Sequence, residues 1–172
     1  MDRRRADFDT FVAASTDSLM RTAYLIVWDL QDAEDLVQET LLKVAARWHR
    51  VRRMDHPLAY ARRILVNLAL DGAGRRTRRR RELTGEALPD RPEEAGGADA
   101  FDTQHELHSA LAALPPRQRT AIVLRYFLDL PEAEVAAAMK CSLGTVKSTA
   151  ARGLARLEQA LRTTNDTRSI ST

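Results

Sequence analysis

Apolar residues recur every three to four positions over most of this chain, the spacing of helices that each bury one face. Phe8, Phe11, Val12, Leu19, Ala23, Ile26 and Val27 form a first stripe, with a break expected near Ser15-Thr16. Ala33, Leu36, Val37, Leu41, Val44, Ala45 and Trp48 form a second, which Asp32 is placed to cap, with Asp35 three residues on. A third begins near Pro57, whose ring suits a first helical turn, and runs through Tyr60, Ile64, Leu65, Leu68 and Ala69 toward Gly72. Strand signals are absent, because Val and Ile are sparse and alternation is never sustained.

Leu83 to Asp102, LTGEALPDRPEEAGGADAFD, has two prolines, three glycines and no sustained apolar period, and reads as a linker. Beyond it Leu107, Leu111 and Leu114 continue a helix that should stop before Pro115-Pro116, since the residue before a proline is driven from helical geometry. Another helix is expected from Arg117 to about Leu128. Pro131 then opens a short helix carrying Val135, Ala136 and Met139, Cys141 lies in a tight turn, and Ser142 caps a longer helix carrying Val146, Ala150, Leu154 and Leu157. Two helices joined by so short a turn form a helix-turn-helix, whose second member is usually presented to the major groove. The expected fold is all-α: two small helical domains, residues 1–81 and 105–162, joined by a flexible acidic linker over 82–104. The tail, 163–172, has no packing face and is expected to be disordered.

Composition narrows the function. The chain has 172 residues, 44% hydrophobic and 30% charged, and its longest apolar run, Ala23 to Trp28, is far short of the roughly 18–20 residues that span a bilayer. Its start, MDRRRADFD, has no apolar stretch behind it and is not expected to be a signal peptide. One cysteine cannot form an internal disulfide, and with four histidines it makes a poor metal set, so no metal or cofactor and a reducing cytoplasm are expected. The net charge of +3 conceals a division. Residues 1–81 carry 17 Lys/Arg against 11 Asp/Glu, residues 82–106 one against eight, and residues 107–172 nine against five. Two basic bodies flanking an acidic spacer suit polyanion partners, because clustered cations gain free energy by displacing phosphate counterions.

Three groups of residues carry candidate chemistry. On the last long helix Ser142, Thr145, Lys147, Ser148, Ala151, Arg152 and Arg156 offer hydroxyls and cations to base edges and phosphates. Ala136 sits where the two helices cross closely, and Lys140 stands where such turns commonly have glycine, which predicts left-handed backbone there. A basic outer face of an ordinary bundle would look similar, but turn spacing and polarity together favour DNA. Second, RRTRRRR, Arg75 to Arg81, follows a helix bearing Arg62, Arg63, Asn67 and Asp71, with Tyr60 as a stacking surface and Asn67 as a base reader, a mixture suited to unpaired bases. Third, Asp35, Gln38, Glu39 and Leu42 share one helix face, which by itself reads as a solvated surface. No paired carboxylates, activated nucleophile or phosphate-cradling glycine loop appears, so catalysis is not expected.

These features in this order resemble the bacterial extracytoplasmic-function RNA polymerase sigma factors of the sigma-70 family, which have a sigma-2 and a sigma-4 domain. The segment DAEDLVQETLLKVAARW is similar to the family's polymerase-binding helix, HPLAYARRILVNLALDGAGRR to its promoter-melting and −10 helix, and LPPRQRTAIVLRYFLDLPEAEVAAAMKCSLGTVKSTAARGLARL to its −35-binding domain. The resemblance implies that Asp35, Gln38, Glu39 and Leu42 face the clamp helices of the large polymerase subunit, with the flap as a further contact. It implies that Tyr60, Arg63, Asn67, Asp71, Arg75 and Arg76 bind melted −10 DNA beside the loop from His49 to His56, and that the helix-turn-helix residues grip the −35 duplex. An anti-sigma partner is usual in such a family. Two departures stand out: Tyr60 replaces the usual Trp, and GTVKST with Ala150-Ala151 replaces GTVRSR with a large residue. A stand-alone helix-turn-helix regulator, or an adaptor that docks on polymerase without binding DNA, are the competing readings.

Overall fold

The computed structural model describes residues 3–84 and 98–170, and every regular element among them is helical. The first body holds α1 (Arg3–Val27), α2 (Leu30–Ala46), the single turn α3 (Trp48–Val51) and α4 (Pro57–Thr84). The second holds α5 (Ala98–Ala113), α6 (Pro116–Ile122), a π-helical turn (Val123–Phe127), α7 (Glu132–Met139) and α8 (Leu143–Ile170). In the first, α1, α2 and α4 pack mutually around Leu19, Ala23, Ile26, Val44, Leu65 and Val66. Trp48 is seated edge-on against Phe8 and tilted against Phe11, with ring centroids 5.3 and 5.2 Å away, which anchors α3 to α1.

Local chemistry moves several expected boundaries. Helix α1 runs unbroken through Ser15 and Thr16: Ser15 is buried, and the Thr16 hydroxyl donates to the Val12 carbonyl at 2.7 Å, so neither breaks the ladder. The α2 cap is Asp29, not Asp32. Asp29 has extended backbone and accepts from the Asp32 N–H at 2.7 Å. The displacement originates in Trp28, whose φ of 57° reverses the chain while its N–H still closes α1 on the Tyr24 carbonyl. Helix α4 continues past Gly72 through the arginine run to Thr84. Arginine is a good helix former, and side chains here bond locally: Arg76 to the Ala69 carbonyl, Thr77 to the Ala73 carbonyl, and Arg78 to Glu82 across one turn.

Helix α4 includes residues 82–84 and α5 begins at Ala98, so the expected linker is helical at both of its ends, and its residues 85–97 lie outside the described residues. The end of the chain differs from expectation in the same direction. Helix α8 extends through 163–170, because adding a residue to an existing ladder avoids the nucleation cost and no Gly or Pro follows Gly153. In the second body α8 crosses α6 at Gly153, and α5 closes over α8 through Leu107, Ala110, Leu111, Leu114, Leu157 and Leu161. The predicted stop before Pro115-Pro116 is observed, with α6 starting on Pro116. The helix expected to reach Leu128 ends at Ile122 and widens into the π-helical turn.

The two bodies also pack on each other. Helix α7 lies on α4, and the π-helical turn and α6 touch α1, so Val123, Leu124, Val135, Ala138 and Met139 join one apolar cluster with the core of the first body. No helix among the described residues is long and apolar enough to cross a membrane.

Candidate nucleic-acid interface

The helix-turn-helix is built by local chemistry at its turn. Helix α7 ends on Lys140, in left-handed backbone (φ 52°, ψ 52°) as its place in the turn predicts, and the Cys141 N–H then returns to the Ala136 carbonyl at 3.1 Å. The Ser142 hydroxyl accepts from the Thr145 N–H at 3.1 Å, capping α8 as expected. Val146, Thr149, Ala150, Gly153 and Leu157 face inward, and this fixes the opposite face. Ser142, Thr145, Lys147, Ser148, Ala151, Arg152 and Arg156 are all exposed there. Besides the Ser142 cap, Ser148 donates to the Thr145 carbonyl at 3.2 Å, and Arg152 Nε to the Ser148 carbonyl at 3.2 Å. Lys147 reaches Glu132 at 3.6 Å, and that carboxylate also lies 3.8 Å from Arg125.

On α4, Arg63, Asp71 and Arg75 are exposed, while Tyr60, Asn67 and Arg76 are half-buried. The Tyr60 hydroxyl accepts from Arg47 at 3.4 Å, and the His49–His56 segment expected as a loop begins within the helical turn α3. Asn67 points at the seam between the bodies: its amide donates to the Arg63 carbonyl and, at 3.3 Å, to the Ala138 carbonyl on α7. Just over one turn earlier Arg62, grouped from the sequence with the nucleic-acid-binding residues of this helix, instead donates to Glu134 of α7 at 2.6 Å.

On α2, Asp35, Gln38, Glu39 and Leu42 are exposed together, opposite the buried Ala33, Leu36, Val37, Thr40 and Val44. Leu42 is 71% exposed, an unusual position for a large apolar side chain in the middle of an acidic stripe. Asp35 accepts from Gln31 at 3.4 Å and Glu39 pairs with Lys43 at 3.5 Å, both exposed and weak. A groove beside this stripe is lined by Asp32, Asp35 and Glu39 on one side and by Arg75, Arg76 and Arg79 of α4 on the other, and Arg79 stands 3.9 Å from Asp32. A further exposed pair, Tyr126 and Phe127 on the π-helical turn, was missed.

Comparison with known proteins decides the meaning of this arrangement. Residues 11–81 match the family pattern of sigma-70 region 2, and residues 104–157 that of sigma-70 region 4. The RNA polymerase sigma-E factor of Streptomyces coelicolor is 36% identical over 90% of this chain and 86% of its own length. The chain belongs to the extracytoplasmic-function RNA polymerase sigma factors. Another relative, the ECF RNA polymerase sigma factor SigE of Mycolicibacterium smegmatis, is 32% identical over 90% of this chain and 61% of its own. Among solved structures, the sigma factor RpoE of Bartonella quintana, crystallised with the anti-sigma factor NepR, superposes with a TM-score of 0.70 at 27% identity, covering 91% of this chain and 97% of that one. This sigma factor binds core RNA polymerase and promoter DNA and directs transcription initiation. A stand-alone regulator would leave the region 2 match, and with it half the fold, without a purpose. The family is not one known for catalysis.

Proposed function

We propose a division of labour among three helix faces. Asp35, Gln38, Glu39 and Leu42 of α2 dock on the clamp helices of the large polymerase subunit, the carboxylates meeting arginines and Leu42 filling an apolar depression between them. Tyr60, Arg63, Asn67, Asp71, Arg75 and Arg76, with the His49–His56 loop, hold the unpaired −10 strand. Each captured base offsets an unstacking cost of a few kcal/mol. Ser142, Thr145, Lys147, Ser148, Ala151, Arg152 and Arg156 grip the −35 duplex in the major groove while the same domain rests on the polymerase flap. Residues 1–81 and 105–162 thus act as the sigma-2 and sigma-4 bodies, in the cytoplasm, with an anti-sigma protein as regulator. The observation that carries the reading is the recognition helix, whose seven polar or small residues all lie on its solvent face while their neighbours pack inward.

Lys147 lacks the planar fork of arginine, so it contacts a guanine edge or a phosphate as a point charge, and Ala151 reaches a thymine methyl. Run-off transcription with purified core polymerase on a promoter library tests the assignment. Initiation at a subset of promoters only when this chain is added, lost on replacing Lys147 and Arg152 with Ala, supports it. Initiation that survives both replacements at the same promoters refutes the −35 role of α8.

A further inference from the structure

The acid that reaches the recognition helix is itself held from behind. Arg125, on the π-helical turn, donates through Nη1 to the Leu130 carbonyl at 2.6 Å, and its guanidinium carbon lies 5.9 Å from the centre of the Tyr126 ring. These contacts leave its half-buried side chain little freedom. Arg125 Nη2 stands 3.8 Å from Glu132 Oε1, and the other oxygen of the same carboxylate stands 3.6 Å from Lys147 Nζ. Three elements thus meet in one chain of charges: the π-helical turn supplies Arg125, α7 begins with Glu132, and α8 presents Lys147. The acid in the middle is 35% exposed and the lysine 66%, so the anchored end of the chain is enclosed and the free end faces solvent. A lysine on its flexible four-carbon stem ordinarily follows any phosphate that comes near. Lys147 instead carries a held carboxylate beside its ammonium.

We propose that Glu132 is a specificity-determining residue and Arg125 the positioning residue that holds it, the two together directing Lys147 to a base edge and away from phosphate. The inference rests on the −35 role given to α8 above. A backbone phosphate carries a full negative charge, and to meet Lys147 Nζ it must also approach the Glu132 carboxylate, so like-charge repulsion opposes that contact. A guanine edge offers N7 and O6, which are neutral acceptors and meet no such opposition. An ammonium has three donors, so Lys147 keeps the carboxylate and still donates to a base. The carboxylate therefore weakens binding to duplex in general and weakens it least where a guanine is in register, and specificity is that difference. An exposed acid–lysine pair alone is screened and weak. Arg125 is what keeps the Glu132 side chain from rotating into solvent and giving up its place beside the lysine.

The test uses holoenzyme reconstituted from core polymerase and the full chain. Promoters share one −10 element and carry either the −35 sequence that the wild-type holoenzyme enriches from a random library or a scrambled one. The ratio of run-off transcripts from the two reads selectivity, and anisotropy of the free chain on a random-sequence duplex across a salt series reads phosphate contact. Glu132→Gln is expected to lower the transcript ratio about threefold and to steepen the salt dependence by about one phosphate, as Lys147 turns to the backbone. Arg125→Gln should lower the ratio about twofold, by releasing the acid. The two replacements change net charge in opposite directions, so a fall in both is not a bulk charge effect. In a chain already carrying Lys147→Ala, neither should move the ratio or the slope. Urea melts establish that each chain is folded, and where Arg125→Gln unfolds because the Leu130 carbonyl loses its donor, Arg125→Lys, which keeps the charge without the fork, takes its place. An unchanged ratio in Glu132→Gln overturns the specificity role. A fall that persists in the Lys147→Ala chain overturns it as well, because the acid then acts on the fold and not through the lysine. A folded Arg125 variant with the wild-type ratio overturns the positioning role. A wild-type holoenzyme that enriches no −35 sequence refutes instead the −35 role on which the inference rests.

Discussion

Lys147 on the recognition helix stands 3.6 Å from a carboxylate oxygen of Glu132 on the preceding helix, so the cation best placed for DNA is partly neutralised from within its own domain. The pair is exposed and screened, and DNA phosphate competes for the lysine on better than equal terms. Glu132→Gln is therefore expected to tighten duplex binding two- to threefold or so. Lys147→Ala should weaken binding and, if the contact is to phosphate, lower the slope of log affinity against log salt by about one. Fluorescence anisotropy across a salt series measures both. An unchanged slope with altered base preference would assign Lys147 to a guanine edge instead.

Gly153 and Gly74 are both helical glycines, and alanine should act on them in opposite senses. A β-carbon on Gly153 would stand 2.8 Å from Ile122 Cδ1 and 3.3 Å from Gln118 Cβ, where α8 crosses α6. Ile122 is fully buried, so it cannot swing away into solvent. Overpacking of this kind costs about 1–3 kcal/mol, against a gain of about 1 kcal/mol from replacing glycine in a helix. Gly153→Ala is expected to destabilise by about 1 kcal/mol net, and Ile122→Val in the same chain to recover part of the loss. Nothing lies within 4 Å of a β-carbon on Gly74, so Gly74→Ala should stabilise by about 0.5–1 kcal/mol. Urea denaturation followed by circular dichroism gives all three values.

The turn of the helix-turn-helix offers a gain of another origin. Lys140 is exposed and sits at φ 52°, where an L-residue costs roughly 1–2 kcal/mol and glycine almost nothing. After subtraction of the greater entropy glycine has in the unfolded chain, Lys140→Gly should stabilise the protein by about 0.5–1 kcal/mol. Lys140→Ala should not, because it keeps the β-carbon. Equal melts for the two variants would place the strain elsewhere.

That Lys140 could be read in advance shows which parts of the fold are legible. Where one residue type answers one local demand, as with Pro115-Pro116 ending α5, Ser142 capping α8 or Lys140 closing the turn, position and structure agree. Where two residues can meet the same demand, the choice depends on the neighbouring chain. Asp29 and Asp32 are both competent caps three residues ahead of an acid, and only the reversal at Trp28 selects Asp29. The arginine run carried no apolar period to mark it as helix, yet it continues α4 through bonds within the helix and the approach of Arg79 to Asp32. The exposed faces of α2 and α8 followed from their buried ones, so their candidate residues were legible as sets. The seam was not. Arg62 and Glu134 are 72 positions apart, and neither has a local pattern that names the other.

The α2 stripe separates binding from stability more cleanly than any other surface of the molecule. Asp35, Gln38 and Glu39 are exposed, and their contacts within the chain are single-turn pairs at 3.4–3.5 Å, each contributing well under 1 kcal/mol. The combined replacement Asp35→Ala, Gln38→Ala and Glu39→Ala should leave the urea midpoint nearly unchanged while lowering affinity for core polymerase by tenfold or more. Leu42→Asp should lower it as well, for a different reason: burying 71% of a leucine on docking is an apolar contribution that salt does not screen. Raising the ionic strength should therefore shrink the defect of the triple variant but not that of Leu42→Asp. Asp17→Ala, at an exposed acid on α1, changes charge without touching the stripe and should bind polymerase normally. If Asp17→Ala is as damaged as the triple variant, general electrostatic attraction and not a docked face governs the encounter, and the assignment of α2 to the clamp helices fails.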